Sequence, residues 1–386
     1  MSDAYVQRIT IDYNFEVHFL RGVFALDNPA FAHSISSLYP GGPHRILFLA
    51  DHEIAQSLPM LARDISSYCS AHREVFLQSS EPVFLDGGES LKNFESVEAL
   101  CRLLDSNRLC RQSFVGIIGG GAFLDAVGFA VSIVHRGLRQ IRFPSTVLAQ
   151  ADSGVGLKNG INMFGKKNFI GSFAPPAAVF NDFDFLDSLE QRDWLAGVAE
   201  AFKVALIKDA AFFEWLCKEA SAVARRSASV MEELIRRCAI LHLDHIRNSG
   251  DPFEFGSARP LDFGHWSAHK LEMLSNNTLR HGEAVAIGIT LDSFYAVQSG
   301  LLPQGILDKL VSALQDAGFY LWHDMLDSVL PSGKRAIFEG IAEFREHLGG
   351  ELHITLPDGL GRKCEVSSLD EAIISKGIDF LRKFAK

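Results

Sequence analysis

Residues 260–272, PLDFGHWSAHKLE, set His265 and His269 four apart where a helical pattern begins. Side chains at that spacing share a helix face. The pair can therefore hold a metal, hold a substrate, or make polar contacts within a core. His281 opens a further apolar helical stretch, HGEAVAIGITLDSFYA, and upstream GVAEAFKVALI puts Glu200 and Lys203 on one face of a strongly apolar helix. A charge buried there needs a counter-charge or a ligand, which a structural ion pair supplies as well as a metal site does. One carboxylate with two imidazoles suits Zn²⁺ and leaves a coordination position open to substrate. No HExxH or CxxC spacing is present, so any such site is assembled from separated segments.

Two further segments carry groups suited to phosphate. Between Gln150 and Asn168 the chain reads QADSGVGLKNGINMFGKKN, a Gly-rich, largely loop-like stretch with Asp152, Lys158, Lys166, Lys167 and Asn168. It reads either as a solvated surface loop or as a loop whose Lys and Asn donors grip phosphate and hydroxyl groups. Gly119, Gly120 and Gly121 lie between a strand-like and a helix-like run, where backbone N–H groups can approach a phosphate. The run lacks GxGxxG spacing, so turn geometry alone explains it equally well.

The elements that must position these residues follow a simple order. In the first half, RILFLA precedes DHEIAQSLPMLARDISSYCSA, and SFVGIIGGG precedes AFLDAVGFAVSIVHR. Such alternation predicts a parallel sheet covered by helices; QIRFPSTVLAQ and AAVFNDFDFL then close the sheet. From about Asp187 the apolar residues recur at helical spacing. We therefore expect an α/β domain over 1–186 and a mainly α-helical domain over 187–386, with small ligands bound where domains meet.

Composition excludes several classes. The chain has 386 residues, 47% of them hydrophobic, and 37 Lys plus Arg against 47 Asp plus Glu for a net charge of -10. That balance offers no general footprint for nucleic acid or anionic membrane. The apolar run Phe114–Val134 contains three consecutive glycines and Asp125, which fit a buried strand, turn and helix better than a membrane span. Six scattered cysteines suggest neither a disulfide framework nor a thiolate metal site. With no secretory pattern at the N-terminus, a cytoplasmic location is expected.

Taken together, IIGGGAFLDAVGFAVSIVHRGLRQIRFPSTVLAQADSGVGLKNGINMFGKKNFIGSF, AEAFK, DFGHWSAH and HGEAV resemble the sugar phosphate cyclases, the family of 3-dehydroquinate synthase. The resemblance runs from about Asp86 to Pro357. It implies a Rossmann-like NAD-binding domain joined to an α-helical metal-binding domain, usually as a homodimer. Glu200, His265 and His281 match the ligands of a divalent metal, zinc or alternatively cobalt. Asn168, Lys203, His269 and Arg345 match the phosphate pocket, and Arg136 matches an arginine reaching the neighbouring subunit's site. Asp51, Asp86, Glu89, Lys92, Gly120, Gly121, Asp125, Ser145 and Thr146 match the NAD site, and Asp152, Lys158 and Lys167 match groups where NAD and substrate meet. The implied reaction is transient oxidation by NAD⁺, β-elimination of phosphate, re-reduction, ring opening and an intramolecular aldol closure.

The chain departs from the family pattern where a substrate carboxylate would be held. Dehydroquinate synthases carry an arginine four residues before an asparagine, whereas here Arg259 lies three residues before Asp262, and a lysine they carry upstream is replaced near His242. Loss of fixed cations disfavours an acidic substrate, while Asp262 can accept hydrogen bonds from sugar hydroxyls. Asp262 therefore resembles the cyclases of neutral heptulose phosphates, although those usually read HGHAV where this chain has HGEAV. Sedoheptulose 7-phosphate is the expected substrate. The alternatives are 3-deoxy-arabino-heptulosonate 7-phosphate, as for a dehydroquinate synthase, and a polyol oxidised by an iron-type dehydrogenase.

Overall fold

A computed structural model describes residues 4–249, 253, 260–347 and 352–385. Its strands are β1 (Glu16–Leu20), β2 (His44–Asp51), β3 (Phe76–Gln78), β4 (Val83–Leu85), β5 (Phe114–Gly119), β6 (Arg139–Pro144), β7 (Lys158–Met163), β8 (Lys166–Phe173), β9 (Ala178–Asp182), β10 (Ile354–Pro357) and β11 (Lys363–Val366). In the first half the helices are α1 (Ala30–Leu38), α2 (His52–Ser57), α3 (Leu61–Ala71), α4 (Phe94–Ser106) and α5 (Gly121–Ile133). The second half carries α6 (Gln191–Ala196), α7 (Val198–Lys208), α8 (Ala210–Ala224), α9 (Ala228–Asn248), α10 (His265–Leu274) and α11 (His281–Gln298). It ends with α12 (Gln304–Ala317), α13 (Glu339–His347) and α14 (Glu371–Leu381).

The chain forms two compact units. The first comprises residues 1–118, 122–143 and 157–182. Its seven-stranded sheet runs β1-β9-β6-β5-β2-β3, with β4 also on β2. The registered pairs β1–β9, β6–β9, β2–β5, β2–β3 and β2–β4 are all parallel. Every residue of β5 and β9 is buried, as expected of strands covered on both faces. Phe31, Phe48, Phe143 and Phe180 pack edge-on and stacked at the centre of this core.

Two features of the first half differ from expectation. β9 does not close the sheet, because β1 pairs along its outer side; only five residues of this edge strand are paired, too few for a clear period. The supposed loop over 150–168 is instead a π-helical turn, Ala149–Ser153, followed by the antiparallel hairpin β7–β8. Its glycines serve close strand approach rather than a flexible loop: Gly160 faces Gly171, where a Cβ would lie 2.7 Å from the Asn159 carbonyl oxygen.

The second unit comprises residues 119–121, 144–156 and 183–386. It is mainly helical, with one short hairpin, β10–β11. All residues from Val198 to Ile207 of α7 are buried, and α8, α9, α11 and the Ala149–Ser153 turn pack on that helix. Helix α11 also lies against α10, at a very close approach: a Cβ on Gly288 would meet the Gly264 carbonyl oxygen at 2.1 Å. Gly264 itself has φ 77°, a conformation that favours glycine. No helix among the described residues is long and apolar enough to cross a membrane.

Candidate active site

Because α7 is buried all round, Glu200 and Lys203 are only 1% and 2% exposed. They form an ion pair through Glu200 Oε2. The other carboxylate oxygen, Oε1, faces the start of α10 and of α11, with His265 Nε2 at 3.7 Å and His281 Nε2 at 3.1 Å. Ligands held about 2.1 Å from a tetrahedral Zn²⁺ are separated by about 3.4 Å from one another. The two distances bracket that value, so the donor set fits a divalent ion in both chemistry and spacing. The second imidazole nitrogens are also engaged. His265 Nδ1 lies 3.0 Å from the Phe263 carbonyl oxygen and His281 Nδ1 lies 3.3 Å from Glu272 Oε2. Such contacts keep a proton on Nδ1 and make Nε2 the nitrogen that ligates, in His281 once it has given up its own proton.

The electrostatics favour a cation at this point. Burial opposes ionisation of Glu200, but Lys203 and His281 outweigh it and hold its carboxyl at about 2. Burial likewise works against charge on His281, yet Glu200 and Glu272 bring its imidazole up to about 10. Desolvation, with Lys203 nearby, pushes His265 well below the usual range and keeps it neutral, the form that ligates. Glu272, His269 and His281 form a second group of possible ligands that shares His281. His269 is exposed on α10, one turn beyond His265.

A second, half-buried pair adjoins the first. His242 Nδ1 on α9 lies 2.5 Å from Asp152 Oδ1 in the π-helical turn. Desolvation would raise the Asp152 carboxyl, but His242 and Lys203 hold it at about 2. For Lys203, burial is overcome by Glu200, Asp152 and Asp262, which raise its pKa. Asp262 sits half-buried in a 3-10 turn before α10. Arg259 lies outside the described residues.

In the same unit, the glycine turn after β5 packs against residues 144–156. Ser145 N–H donates to the Gly119 carbonyl at 3.0 Å, and a Cβ on Gly120 or Gly121 would come within 3.2 Å of Thr146 or 2.6 Å of Ser153. The turn is thus a bare-backbone cradle opening α5 at Gly121, with N–H groups suited to a dinucleotide phosphate.

The first unit gathers another set. Lys92, only 4% exposed, donates to Asp125 Oδ2 at 2.8 Å and to Asn168 Oδ1. Asn168 N–H donates to Asn162, whose Nδ2 donates to Glu89 Oε1 at 2.7 Å. Asp125 and Asn168 therefore meet at Lys92, and Asn162 joins Glu89 to them. Asp51 caps α2 at the Glu53 N–H and lies against Gly87, where a Cβ would be 2.0 Å from its Oδ2; it shapes the loop carrying the exposed Asp86. Lys158 and Lys167 lie on β7 and β8. Arg136 and Arg345 are exposed, and neither bonds to another of these residues among the described contacts.

Sequence reasoning missed Glu272 and the His242–Asp152 pairing. Glu272 lies three residues after His269 and ends the very stretch singled out, but its partner His281 is on another helix. Glu283, the departure within HGEAV, has a structural explanation: it accepts the Arg280 N–H at the start of α11 and binds Arg192 of α6 through both oxygens.

A parallel-sheet unit, and a helical unit that carries the bare glycine turn and a buried carboxylate–imidazole cluster, define the dehydroquinate synthase-like fold. The family models described as 3-dehydroquinate synthase N-terminal and C-terminal match residues 82–196 and 197–334. The 3-dehydroquinate synthase of Campylobacter fetus is 32% identical over 303 residues, 78% of this chain and 83% of that protein. That of Paracoccus denitrificans is 32% identical over 86% of this chain and 88% of its own. Among solved structures, the 2-epi-5-epi-valiolone synthase ValA of Streptomyces hygroscopicus, with NAD⁺ and Zn²⁺ bound, has a TM-score of 0.85 and 27% identity over 98% of this chain and 99% of its own. Glycerol dehydrogenase of Schizosaccharomyces pombe shares the fold at TM-score 0.61 and 15% identity over 97% of this chain and 91% of its own. The chain belongs to the 3-dehydroquinate synthase family of sugar phosphate cyclases, enzymes that eliminate phosphate.

Removing one member of a buried ion pair strands the other. Lys203→Met is expected to destabilise the metal-free protein by about 3–5 kcal/mol, read as a lower thermal midpoint in chelator. Zn²⁺ should restore part of the loss, because a bound cation replaces the missing charge. An unchanged midpoint would show that Glu200 does not depend on Lys203.

Proposed function

We propose that this chain cyclises a neutral C7 ketose phosphate, sedoheptulose 7-phosphate, to a valiolone-type cyclitol with loss of inorganic phosphate, using NAD⁺ and one Zn²⁺ or Co²⁺ ion. The observation that carries the substrate choice is the charge balance around Lys203. Glu200, Asp152 and Asp262 all act on its ammonium, and His242 is already drawn to Asp152. Among the described residues, the two cationic members of this cluster, Lys203 and His242, already face carboxylates, and Asp262 adds repulsion toward a further one. Leaving an anion desolvated and unmatched costs several kcal/mol, or about a thousandfold in affinity. Hydroxyls, by contrast, can donate to Asp152 and Asp262. The likeness to the valiolone synthase supports the same reading, while the names of the curated relatives favour dehydroquinate synthesis from 3-deoxy-arabino-heptulosonate 7-phosphate.

In this reading Glu200, His265 and His281 hold the metal, and the glycine turn, Ser145, Thr146, Asp51, Asp86, Glu89, Lys92 and Asp125 form the NAD site. When bound, the metal would polarise the reacting oxygen and NAD⁺ would accept a hydride, making the C–H beside the phosphate-bearing carbon acidic enough for elimination; the hydride would be returned only after phosphate has left. His269, Asn168, Lys203 and Arg345 bind the phosphate and the charge it carries away. Asp152, Lys158 and Lys167 orient the sugar. Arg136 acts from a neighbouring subunit of a homodimer, where its exposure on the surface is useful.

The histidine roles separate in two variants. His265→Ala is expected to abolish both metal content and activity, whereas His269→Ala and Arg136→Ala keep one metal per chain and bind substrate more weakly. Metal analysis beside steady-state kinetics checks this, and loss of metal in His269→Ala would reverse the assignment.

Substrate choice is tested by supplying both sugars to the protein with NAD⁺ and Zn²⁺ or Co²⁺, following phosphate release and product mass. Sedoheptulose 7-phosphate is expected to be converted at least about a hundredfold more efficiently, a conservative share of the carboxylate penalty. Efficient dehydroquinate formation with sedoheptulose 7-phosphate inert would establish the alternative. Accumulation of NADH without phosphate release would point to a dehydrogenase.

A further inference from the structure

We propose that Asp292 is a positioning residue that sets the geometry of His265 by holding the residues on both sides of it. Asp292, on α11, is 1% exposed. Its Oδ2 accepts the backbone N–H of Gly264 at 3.0 Å, and its Oδ1 accepts the indole N–H of Trp266 at 2.9 Å. His265, the first residue of α10, lies between these two anchor points.

Three observations make this more than a packing contact. The first N–H groups of a helix have no partner within it, so the start of α10 is fixed only by what meets it from outside. Gly264 has φ 77°, and a Cβ there would lie 2.7 Å from Ile289 N, so the strand of chain entering α10 has one close-packed path along α11. Finally, both partners of Asp292 are N–H donors. A buried carboxylate so placed contributes less to stability than an apolar residue could, but it presents two acceptor atoms to two donors at a set angle. An asparagine cannot do this, because its amide offers one oxygen and turns an NH₂ toward the other N–H.

This inference rests on His265 being a metal ligand. Groups that orient ligands are worth about 10–100-fold in metal affinity. The test measures Zn²⁺ affinity by competition with a chromophoric chelator, together with the thermal midpoint of each metal-free protein. Asp292→Asn is expected to weaken Zn²⁺ binding within that range. Trp266→Phe alone removes one anchor without disturbing the Gly264 bond and should weaken binding less than Asp292→Asn does. In the double variant the amide oxygen is free to accept from Gly264, so Zn²⁺ affinity should recover toward wild type although its thermal midpoint is the lowest of the four. A purely structural role gives the reverse, with affinity falling alongside stability.

Asp292→Asn binding Zn²⁺ as tightly as the wild type, or a double variant binding no better than Asp292→Asn, overturns the proposal. A second readout needs no variant: in metal-free wild-type protein the Gly264 amide and Trp266 indole protons should exchange slowly with solvent, and rapid exchange of either contradicts a preformed site. Failure of the wild type to bind Zn²⁺ would instead remove the ligand assignment on which the inference stands.

Discussion

The helical unit depends on one constraint: helix α7 is buried on every side and nevertheless carries Glu200 and Lys203. Charges withdrawn from water must be matched nearby, so some of the elements around α7 must supply or accept charge. Helix α10 brings His265, α11 brings His281, and the π-helical turn brings Asp152, which α9 matches with His242. The close glycine contacts follow from this. Gly282, beside His281, would drive a Cβ to 2.0 Å from the Ala196 carbonyl oxygen, so α11 reaches Glu200 only because that position is bare.

Such a cluster stabilises poorly compared with apolar packing of the same volume. Its retention in the most buried helix is therefore better explained by chemistry than by folding. In the proposed reading, a divalent cation would take the place of the proton that Glu200 and Glu272 hold on His281. Lys203 then serves two ends, holding Glu200 in place and keeping positive charge beside Asp152 and Asp262. Among the described residues, Lys203 is thus already matched by carboxylates.

Much of this could be read from the chain. Residues that act within one helix, such as His265 with His269 or Glu200 with Lys203, declare themselves by spacing, and the buried strands β2 and β5 by their continuous apolar runs. Contacts between distant segments do not. Asp152 and His242 come from a turn and a helix 90 positions apart by their numbers, and neither Glu272 with His281 nor Asp292 with Gly264 leaves a periodic trace. The β7–β8 hairpin was hidden for another reason: its glycines, lysines and asparagines have loop composition because the strands approach closely and β8 is largely exposed. The edge strand β1 is five residues long, too short to show its pairing.

Glu200–His265–His281 and His269–Glu272–His281 both present three ligand atoms within 4.8 Å of one another, and the account depends on the first being the metal centre. Crystals of the protein grown with Zn²⁺ and measured on either side of the zinc absorption edge decide between them. The account predicts one anomalous peak about 2.0–2.2 Å from Glu200 oxygen and from the Nε2 atoms of His265 and His281, with Glu272 still on His281 Nδ1. A peak among His269, Glu272 and His281, with Glu200 bonded only to Lys203, would contradict it.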